Sequence, residues 1–210
     1  MKQIFSLDSP LIQKLGKFAD LIVLNILYLA SCIPIITIGA ANAALYDVTT
    51  RLSKDEAVIW RHYWQAFAAN FKKATLIWLI FLLVGGLLYG CSIFYWSYEL
   101  PNEAISLFLL GIVAVVWLAV YSWVFLLQAR YENTVGNTLR NALLCSLSYL
   151  PRTIVITLIN AVFPIVVIFV PAFLFNAIFL FLVIWFAGSA YFCTLLLRKP
   201  MKQLEGTPEE

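Results

Sequence analysis

The sequence predicts an all-α fold: one polytopic bundle of transmembrane helices, with an N-terminal broken or re-entrant helical hairpin, four clear spans and two interfacial amphipathic helices. Three observations predict it. Hydrophobic residues make up 63% of the chain and charged residues 12%, against about 45–50% and about 25% in soluble domains. Long runs carry no charge, and lysines and arginines gather in alternate connecting segments. Lipid must therefore be the solvent for much of the surface.

The first apolar run is long for one span and short for two, and Pro34 and Gly39 interrupt it. Both residue types disfavour an unbroken helix. We expect a broken hairpin over 18–50, with arms near 18–33 and 38–50 that are each about 20–24 Å long. Arms of this length are short for a full crossing, so we expect the hairpin to be re-entrant or the bilayer to be locally thinned. A single crossing is the alternative.

Five residues of this hairpin are candidates for a structural or functional role. We expect Pro34 to end the first arm, Thr37 to cap the second arm, and Gly39 to let the arms pack closely. Asn25 and Asn42 lie in opposite arms, where they can meet and hydrogen-bond. Contact between helices is the favoured role for these amides, with contact to a substrate as the alternative.

An interfacial amphipathic helix is predicted over 56–73, with aromatic residues on one face and basic residues on the other, as expected at a membrane surface. It leads into a span at 74–98, which a tight turn joins to a span at 104–129. Gly86 and Gly90 form a GxxxG pattern, which indicates close helix packing and a candidate homo-oligomer contact. The aromatic face consists of Trp60, Tyr63, Trp64, Phe67 and Phe71.

A similar plan recurs about 78 residues later, with a second surface helix followed by two spans. The run without charge between Arg152 and Arg198 is too long for one crossing of a hydrocarbon core about 30 Å thick. Pro171 is the expected break, and Pro164 is expected to kink the first of the two spans. The predicted elements are an interfacial helix at 137–150, spans at 153–170 and 173–196, and a cytoplasmic tail at 197–210.

The distribution of basic residues predicts the orientation, because cytoplasmic loops are enriched in lysine and arginine. The segments before the second and fourth apolar blocks are basic, as is the C-terminal tail, whereas the turns near Pro101 and Pro171 are not. We therefore expect the C-terminus in the cytoplasm of a multi-pass plasma-membrane protein. If the first run turns back, the N-terminus is also cytoplasmic and all fourteen lysines and arginines lie inside.

The sequence contains no constellation typical of catalysis. Its single histidine, His62, lies on the basic face of a surface helix, and no HExxH, CxxC or GxSxG motif occurs. We therefore predict no enzymatic activity, no cofactor and no metal site, and the small net charge of +3 gives no reason to expect nucleic acid as a partner. The four clear spans carry no ionisable residue, which argues against an ion-coupled carrier but leaves a passive pore or a subunit open.

Three groups of residues resemble the YesL-like bacterial membrane proteins, a family with a domain of unknown function. The first is the segment 34–46, PIITIGAANAALY. The second is Trp64-Gln65-Ala66-Phe67 with Asn70-Phe71-Lys72, and the third is Leu139-Arg140-Asn141-Ala142 with Leu150-Pro151-Arg152-Thr153. The resemblance covers roughly residues 5–200 and adds Phe67, Asn70, Arg140 and Pro151 to the candidates. It provides no catalytic residues.

The resemblance implies an accessory or regulator of carbohydrate uptake, with importer subunits as partners beside the lipid bilayer. A small autonomous transporter or pore is the alternative, and a membrane enzyme that acts on lipid-linked substrates is less favoured. The candidate residues, structural or functional, are Asn25, Pro34, Thr37, Gly39, Asn42, Phe67, Asn70, Gly86, Gly90, Arg140 and Pro151.

Overall fold

The fold is entirely helical in the part of the chain that the structure describes. The computed structural model describes residues 10–56, 58–98, 103–169 and 175–204 and, within these, the side chains of 15–97, 105–162 and 184–203. The predicted all-α fold is therefore confirmed. The elements are α1 (Pro10–Cys32), a 3-10 turn (Ile35–Thr37), α2 (Ile38–Leu52), α3 (Ile59–Tyr98), α4 (Glu103–Arg130), α5 (Val135–Ser148), α6 (Leu150–Phe169) and α7 (Phe175–Leu204).

Several of these helices have the length and composition of membrane spans. Within the described ranges, Leu15–Cys32, Ile59–Ser97 and Ile105–Arg130 are each long and apolar enough to cross a bilayer. A fourth candidate is the pair Val135–Ser148 and Leu150–Val162, which is bent by 108° and would count as one broken span. These apolar helices indicate that the protein resides in a membrane. The side chains of 173–183, in the first half of the predicted span 173–196, lie outside the described residues.

Helix α3 contains most of the surface helix predicted at 56–73 and the span predicted at 74–98, into which that helix was expected to lead directly. Both segments belong to one continuous helix of 40 residues, about 60 Å long. Neither proline nor glycine occurs between Ile59 and Val84, so no residue breaks the helix where the sequence passes from basic to apolar. The change at Lys73 is a change of environment, and the backbone conformation continues through it.

Helix α2 lies at the centre of the bundle and packs against α1, α3, α4 and α7. All of its residues are buried except Ile38, Asp47, Thr50 and Arg51. Its first half is GAANAAL, and such small side chains let neighbouring helices approach its backbone closely. The second arm of the predicted hairpin is therefore a core helix of the protein.

Gly39 makes the closest of these approaches, and it does so on α3. A Cβ atom at position 39 would overlap the carbonyl oxygen of Ala74 and lie 2.6 Å from Cβ of Trp78. The expectation that Gly39 lets the two hairpin arms pack together is thus corrected, because the glycine accommodates α3. The contact places the start of α2 beside residues 74–78 of α3.

The C-terminal half of the fold differs from the prediction at three boundaries. Helix α5 is Val135–Ser148, where 137–150 was expected. Helix α6 begins at Leu150, where the span was expected to begin at 153, and it continues past Pro164 to Phe169. Helix α7 continues through Pro200 to Leu204, into the predicted tail. The turn at 99–102 and the break at Pro171 lie outside the described residues.

The distal parts of α3 and α4 are largely exposed in the described part of the chain. Gly85 packs against the indole ring of Trp117, 2.9 Å from where a Cβ would lie. Most of the other side chains point away from the protein, as expected for helices surrounded by acyl chains. Large apolar side chains exposed here include Leu83, Leu87, Phe94, Trp96, Phe108 and Val115.

The contact between Gly39 and α3 predicts the effect of adding one methyl group. We expect Gly39→Ala to destabilise the protein by about 1–3 kcal/mol, because backbone atoms of Ala74 would have to move. The midpoint of thermal unfolding in detergent, measured by size-exclusion chromatography of heated samples, tests this. Gly111→Ala in α4 is the matched control, since nothing lies within 4 Å of its added Cβ. Equal midpoints for the two variants would contradict the prediction.

Candidate functional site

The turn between α1 and α2 is held by the backbone and by one indole of α3. Pro34 has extended backbone angles, φ −79° and ψ 119°, before the 3-10 turn. The Trp78 Nε1–H donates to the carbonyl oxygen of Ile35 at 2.8 Å. The side chains of Ile33, Ile35 and Ile36 are all exposed. The turn is therefore a rigid apolar tip that is attached to α3.

Thr37 does not cap α2, which corrects that expectation. It occupies the N-cap position, but its side chain accepts no hydrogen bond from the first turn of α2. Its hydroxyl lies 2.6 Å from the carbonyl oxygen of Ser31 and 2.7 Å from that of Pro34. Its single proton is shared between these two acceptors, and the Ser31 carbonyl belongs to the last turn of α1, where carbonyl groups lack partners within the helix.

Asn42 joins the two arms, but its described partner in α1 is Tyr28. The Tyr28 hydroxyl donates to Oδ1 of Asn42 at 3.1 Å, and Nδ2 of Asn42 donates to the Tyr121 hydroxyl of α4 at 3.5 Å. Asn25, on the other arm, accepts a hydrogen bond of 2.9 Å from the backbone N–H of Ala187 in α7. Each asparagine thus connects the hairpin to a different helix outside it, which the expected pairing did not include.

A cavity of about 180 Å³, the neutral cavity, lies beside Asn42, between α1, α2, α4, α6 and α7. The Tyr46 hydroxyl interacts with the Asn160 side chain at its wall. The wall combines hydroxyl and amide groups with aromatic rings, and no Asp, Glu, Lys, Arg or His is among the described residues that line it. Its polar and aromatic lining includes Tyr28, Asn42, Tyr46, Tyr121, Asn160 and Trp185.

A second cavity, the charged cleft, opens where α2, α3 and α4 meet and has a volume of about 480 Å³. A neighbouring cavity of about 330 Å³ shares Asp47, Arg51 and Arg130 with it. Nε of Arg51 donates to Oδ2 of Asp47 at 2.8 Å. This hydrogen bond and the charge of Asp47 raise the pKa of Arg51 above its usual value. Lys73 and Glu132 complete the charged lining of the cleft.

Hydrogen bonds between side chains connect three helices at the floor of the charged cleft. Nε2 of Gln128 donates to Oδ1 of Asn70 at 3.1 Å, and the Thr138 hydroxyl lies 3.3 Å from Oε1 of Gln128. Asn70 Nδ2 donates in turn to the carbonyl oxygen of Ala66. Gln128 and Thr138 are buried. The candidate Asn70 therefore positions α3 against α4 and α5.

His62 also lines the charged cleft, but its described contact is structural. Its Nδ1 accepts a hydrogen bond of 3.0 Å from the backbone N–H of Val58, which satisfies a donor at the start of α3. The candidate Phe67 belongs to a ladder of rings along the same helix, with centroids 5.6 Å from Trp64 and 5.6 Å from Phe71. Trp60 and Trp64 are exposed at the edge of this ladder.

The remaining candidates lie apart from both cavities. Gly86 and Gly90 are exposed, and nothing lies within 4 Å of a Cβ added at either position. They do not pack against the described part of the chain, and an oligomer contact through them stays a prediction. Arg140 is exposed on α5. Pro151 lies in the first turn of α6, just after the bend of 108°.

The sequence reasoning missed the tyrosines and the glutamine that build these sites. Tyr28, Tyr46 and Tyr121 occur in apolar runs, where each resembles an ordinary aromatic core residue. Gln128 has the clearer pattern, since it is the last polar side chain before the basic end of α4 at Arg130. A buried hydroxyl or amide in a span needs a partner, but sequence alone does not identify that partner.

Comparison with known proteins gives one match. The model of a family described as "Protein of unknown function, DUF624" matches residues 21–90. This segment contains most of α1, the turn, α2 and more than half of α3. No curated protein matches the chain, and no solved structure matches it either.

The hydrogen bonds at the floor of the charged cleft predict that Gln128→Met lowers stability. Methionine has a similar volume but removes the hydrogen bonds of Gln128 to Asn70 and Thr138, each worth about 0.5–1.5 kcal/mol. The midpoint of thermal unfolding in detergent measures this loss of stability. Gln65→Met is the matched control, because Gln65 is exposed at the edge of the same cleft. The prediction is wrong if Gln128→Met unfolds at the same temperature as Gln65→Met.

Proposed function

We propose that the chain is a non-enzymatic, multi-pass protein of the bacterial plasma membrane that assists or regulates carbohydrate import by docking on an importer. The resemblance to YesL-like proteins supports the link to carbohydrate. The match of residues 21–90 to a family of unknown function is consistent with that resemblance. The observation that carries the docking role is the charged cleft, whose described lining combines lysine and arginine with aspartate and glutamate. The premise of this proposal is that this end of the bundle faces the cytoplasm.

The length of α3 supports a definite placement in the bilayer. The 25 residues from Ala74 to Tyr98 carry no charge and extend for about 37 Å, enough to cross a hydrocarbon core about 30 Å thick. Residues 59–73 then lie on the basic side, which the positive-inside rule assigns to the cytoplasm. These features support a position of the charged cleft at the cytoplasmic surface.

The placement of α3 also bears on the hairpin of α1 and α2. Its turn lies beside Ala74 and Trp78, where the apolar segment of α3 begins. From there α2 runs back along the basic half of α3 towards the turn at 53–58, so little of the bilayer is left for it to cross. We therefore infer that the exposed isoleucines of the tip enter only the near leaflet and that both ends of the hairpin are cytoplasmic.

The chemistry of the charged cleft suits a protein partner with both polar and apolar contacts. Arg51, Lys73 and Arg130 provide positive charge, Asp47 and Glu132 provide negative charge, and the paired charges favour a specific orientation of the partner. Trp60 and Trp64 are exposed on the other face of α3, and tryptophan is frequent among residues that dominate binding energy in protein interfaces. An importer loop that reaches the cytoplasmic surface of the membrane could contact the charged cleft, and a second segment of the importer could contact the indoles.

A small autonomous transporter or pore is the second candidate. The neutral cavity beside Asn42 favours it, since such a cavity can hold an uncharged solute. The exposed Gly86 and Gly90 would allow two copies to pack closely. Solute flux into liposomes that contain only this protein would decide for it. A membrane enzyme is less favoured, because His62 serves as a helix-terminal acceptor.

The docking role predicts that importer subunits co-purify with this chain from mild detergent. We expect Lys73→Glu to lower their recovery at least about tenfold, the effect of losing roughly 1.4 kcal/mol of binding energy. Lys199→Glu on α7 is the matched control, because it reverses an exposed charge away from the charged cleft. Absence of any importer subunit, together with unchanged sugar uptake after deletion of the gene, would rule out the role.

The proposed placement predicts a pattern of cysteine labelling in intact cells. In a background without the four native cysteines, cysteines at Lys2 and Asp55 should react only with reagents that enter the cytoplasm. A cysteine at Ser97 should react from outside, because it lies at the far end of α3. Labelling of Lys2 and Asp55 from opposite sides would show that the first apolar run crosses the membrane once.

A further inference from the structure

We propose that the neutral cavity beside Asn42 is a binding site for a small, uncharged polyhydroxyl compound no larger than a single sugar ring. The site would belong to this chain alone, because α1, α2, α4, α6 and α7 form its described wall. It is separate from the charged cleft, with which it shares no lining residue. The proposal therefore does not depend on an importer or on any other partner.

The absence of charge in the described lining selects the class of ligand. An anionic solute such as a phosphate or a carboxylate needs a cationic side chain or several backbone donors to offset the loss of water. An ammonium compound could use the aromatic rings of the wall, but it would leave the amides and hydroxyls of the wall without hydrogen-bond partners. The lining offers amides and hydroxyls, which suit a neutral partner with many hydrogen-bonding groups.

The size of the cavity sets an upper limit on the ligand. Its volume of about 180 Å³ is several times the roughly 30 Å³ that one molecule occupies in liquid water. It is smaller than the cavities of about 300–1,000 Å³ that bind drug-sized molecules. A polyol of the size of glycerol or a single sugar ring matches this range, whereas a disaccharide does not.

The hydrogen-bond directions leave donors and acceptors for such a ligand. Tyr28 donates its proton to Asn42, and Asn42 donates one N–H to the Tyr121 oxygen. The Tyr121 proton is then not used in either bond, so this hydroxyl can donate to a ligand. Tyr28 retains its acceptor lone pairs, and Asn42 retains its second N–H. The group can thus donate and accept at once, as a vicinal pair of hydroxyls requires.

Aromatic rings beside these groups complete a surface for a polyol. The rings of Trp185 and Phe125 lie in the wall together with those of the tyrosines. A polyol or sugar has C–H groups between its hydroxyls, and a flat ring covers them with little loss of side-chain entropy because aromatic side chains have few rotatable bonds. Few polar groups placed among aromatic rings are typical of small-molecule sites.

Equilibrium binding to the purified full-length chain in neutral lipid nanodiscs tests the proposal. The probes are radiolabelled glycerol, xylose and glucose, with gluconate as an anion of similar size. We expect saturable binding of at least one neutral probe and none of gluconate. Binding of no neutral probe would mean that the cavity holds water only and would overturn the proposal, as would gluconate binding equal to that of glucose.

Two variants locate the site. Ser189→Leu should fill the cavity and abolish binding, because Ser189 lies in its wall. Asn160→Ala should weaken binding at least about tenfold, equivalent to about 1.4 kcal/mol, while leaving the volume open. Ser122→Ala is the control, since Ser122 bonds Thr157 outside the cavity. Either cavity variant can decide the question if it elutes as folded protein. Wild-type affinity in such a variant would overturn the proposal.

The outcome is independent of the docking role. Binding by the purified chain requires no importer, so failure here leaves the co-purification result unaffected. Conversely, if no importer subunit co-purifies but a neutral probe binds, the site stands and the docking role fails.

Discussion

The close contact between the backbones of α2 and α3 is the constraint on which the rest of the bundle depends. Gly39 lies against the Ala74 carbonyl, and the alanines that follow it keep α2 thin enough for several helices to surround it. In lipid, apolar side chains gain little by leaving acyl chains for a protein interior, so association rests on close packing and hydrogen bonds. A central helix with small side chains favours close packing and hydrogen bonds with its neighbours. Residues of this helix line both the neutral cavity and the charged cleft.

Hydrogen bonds between distant segments then determine which helices become neighbours. Asn25 binds the backbone of α7, the Thr49 and Thr194 hydroxyls lie 3.0 Å apart, and Trp123 Nε1–H donates to Thr153 at the bend between α5 and α6. A side-chain hydrogen bond between helices in a membrane contributes about 0.6–2 kcal/mol. The polar residues that make up the candidate sites therefore also hold the bundle together, which couples the shape of each site to the packing around it.

The helical fold could be predicted from the sequence because a chain in lipid must satisfy its backbone internally, and long runs without charge identify such segments. The passage from Lys73 to Ala74 changes the environment of the helix without changing its conformation: polarity changes there, but nothing ends the helix. Gly39 and Gly86 look alike in sequence, and only the arrangement of helices decides that Gly39 touches a neighbour. Likewise Asn25 and Asn42 were identifiable as polar residues in apolar runs, but their partners come from helices far along the chain.

The unbroken α3 gives the protein a mechanical property. A helix about 60 Å long has a shorter arm that packs along α2 and ends at Ile59, and a longer, largely exposed arm that ends at Tyr98. A tilt of about 10° around Ala74 would move the far end of the longer arm by roughly 6 Å, since that arm measures about 36 Å. Because the shorter arm is packed against α2, we expect the longer arm to bend within the bilayer before the wall of the charged cleft moves.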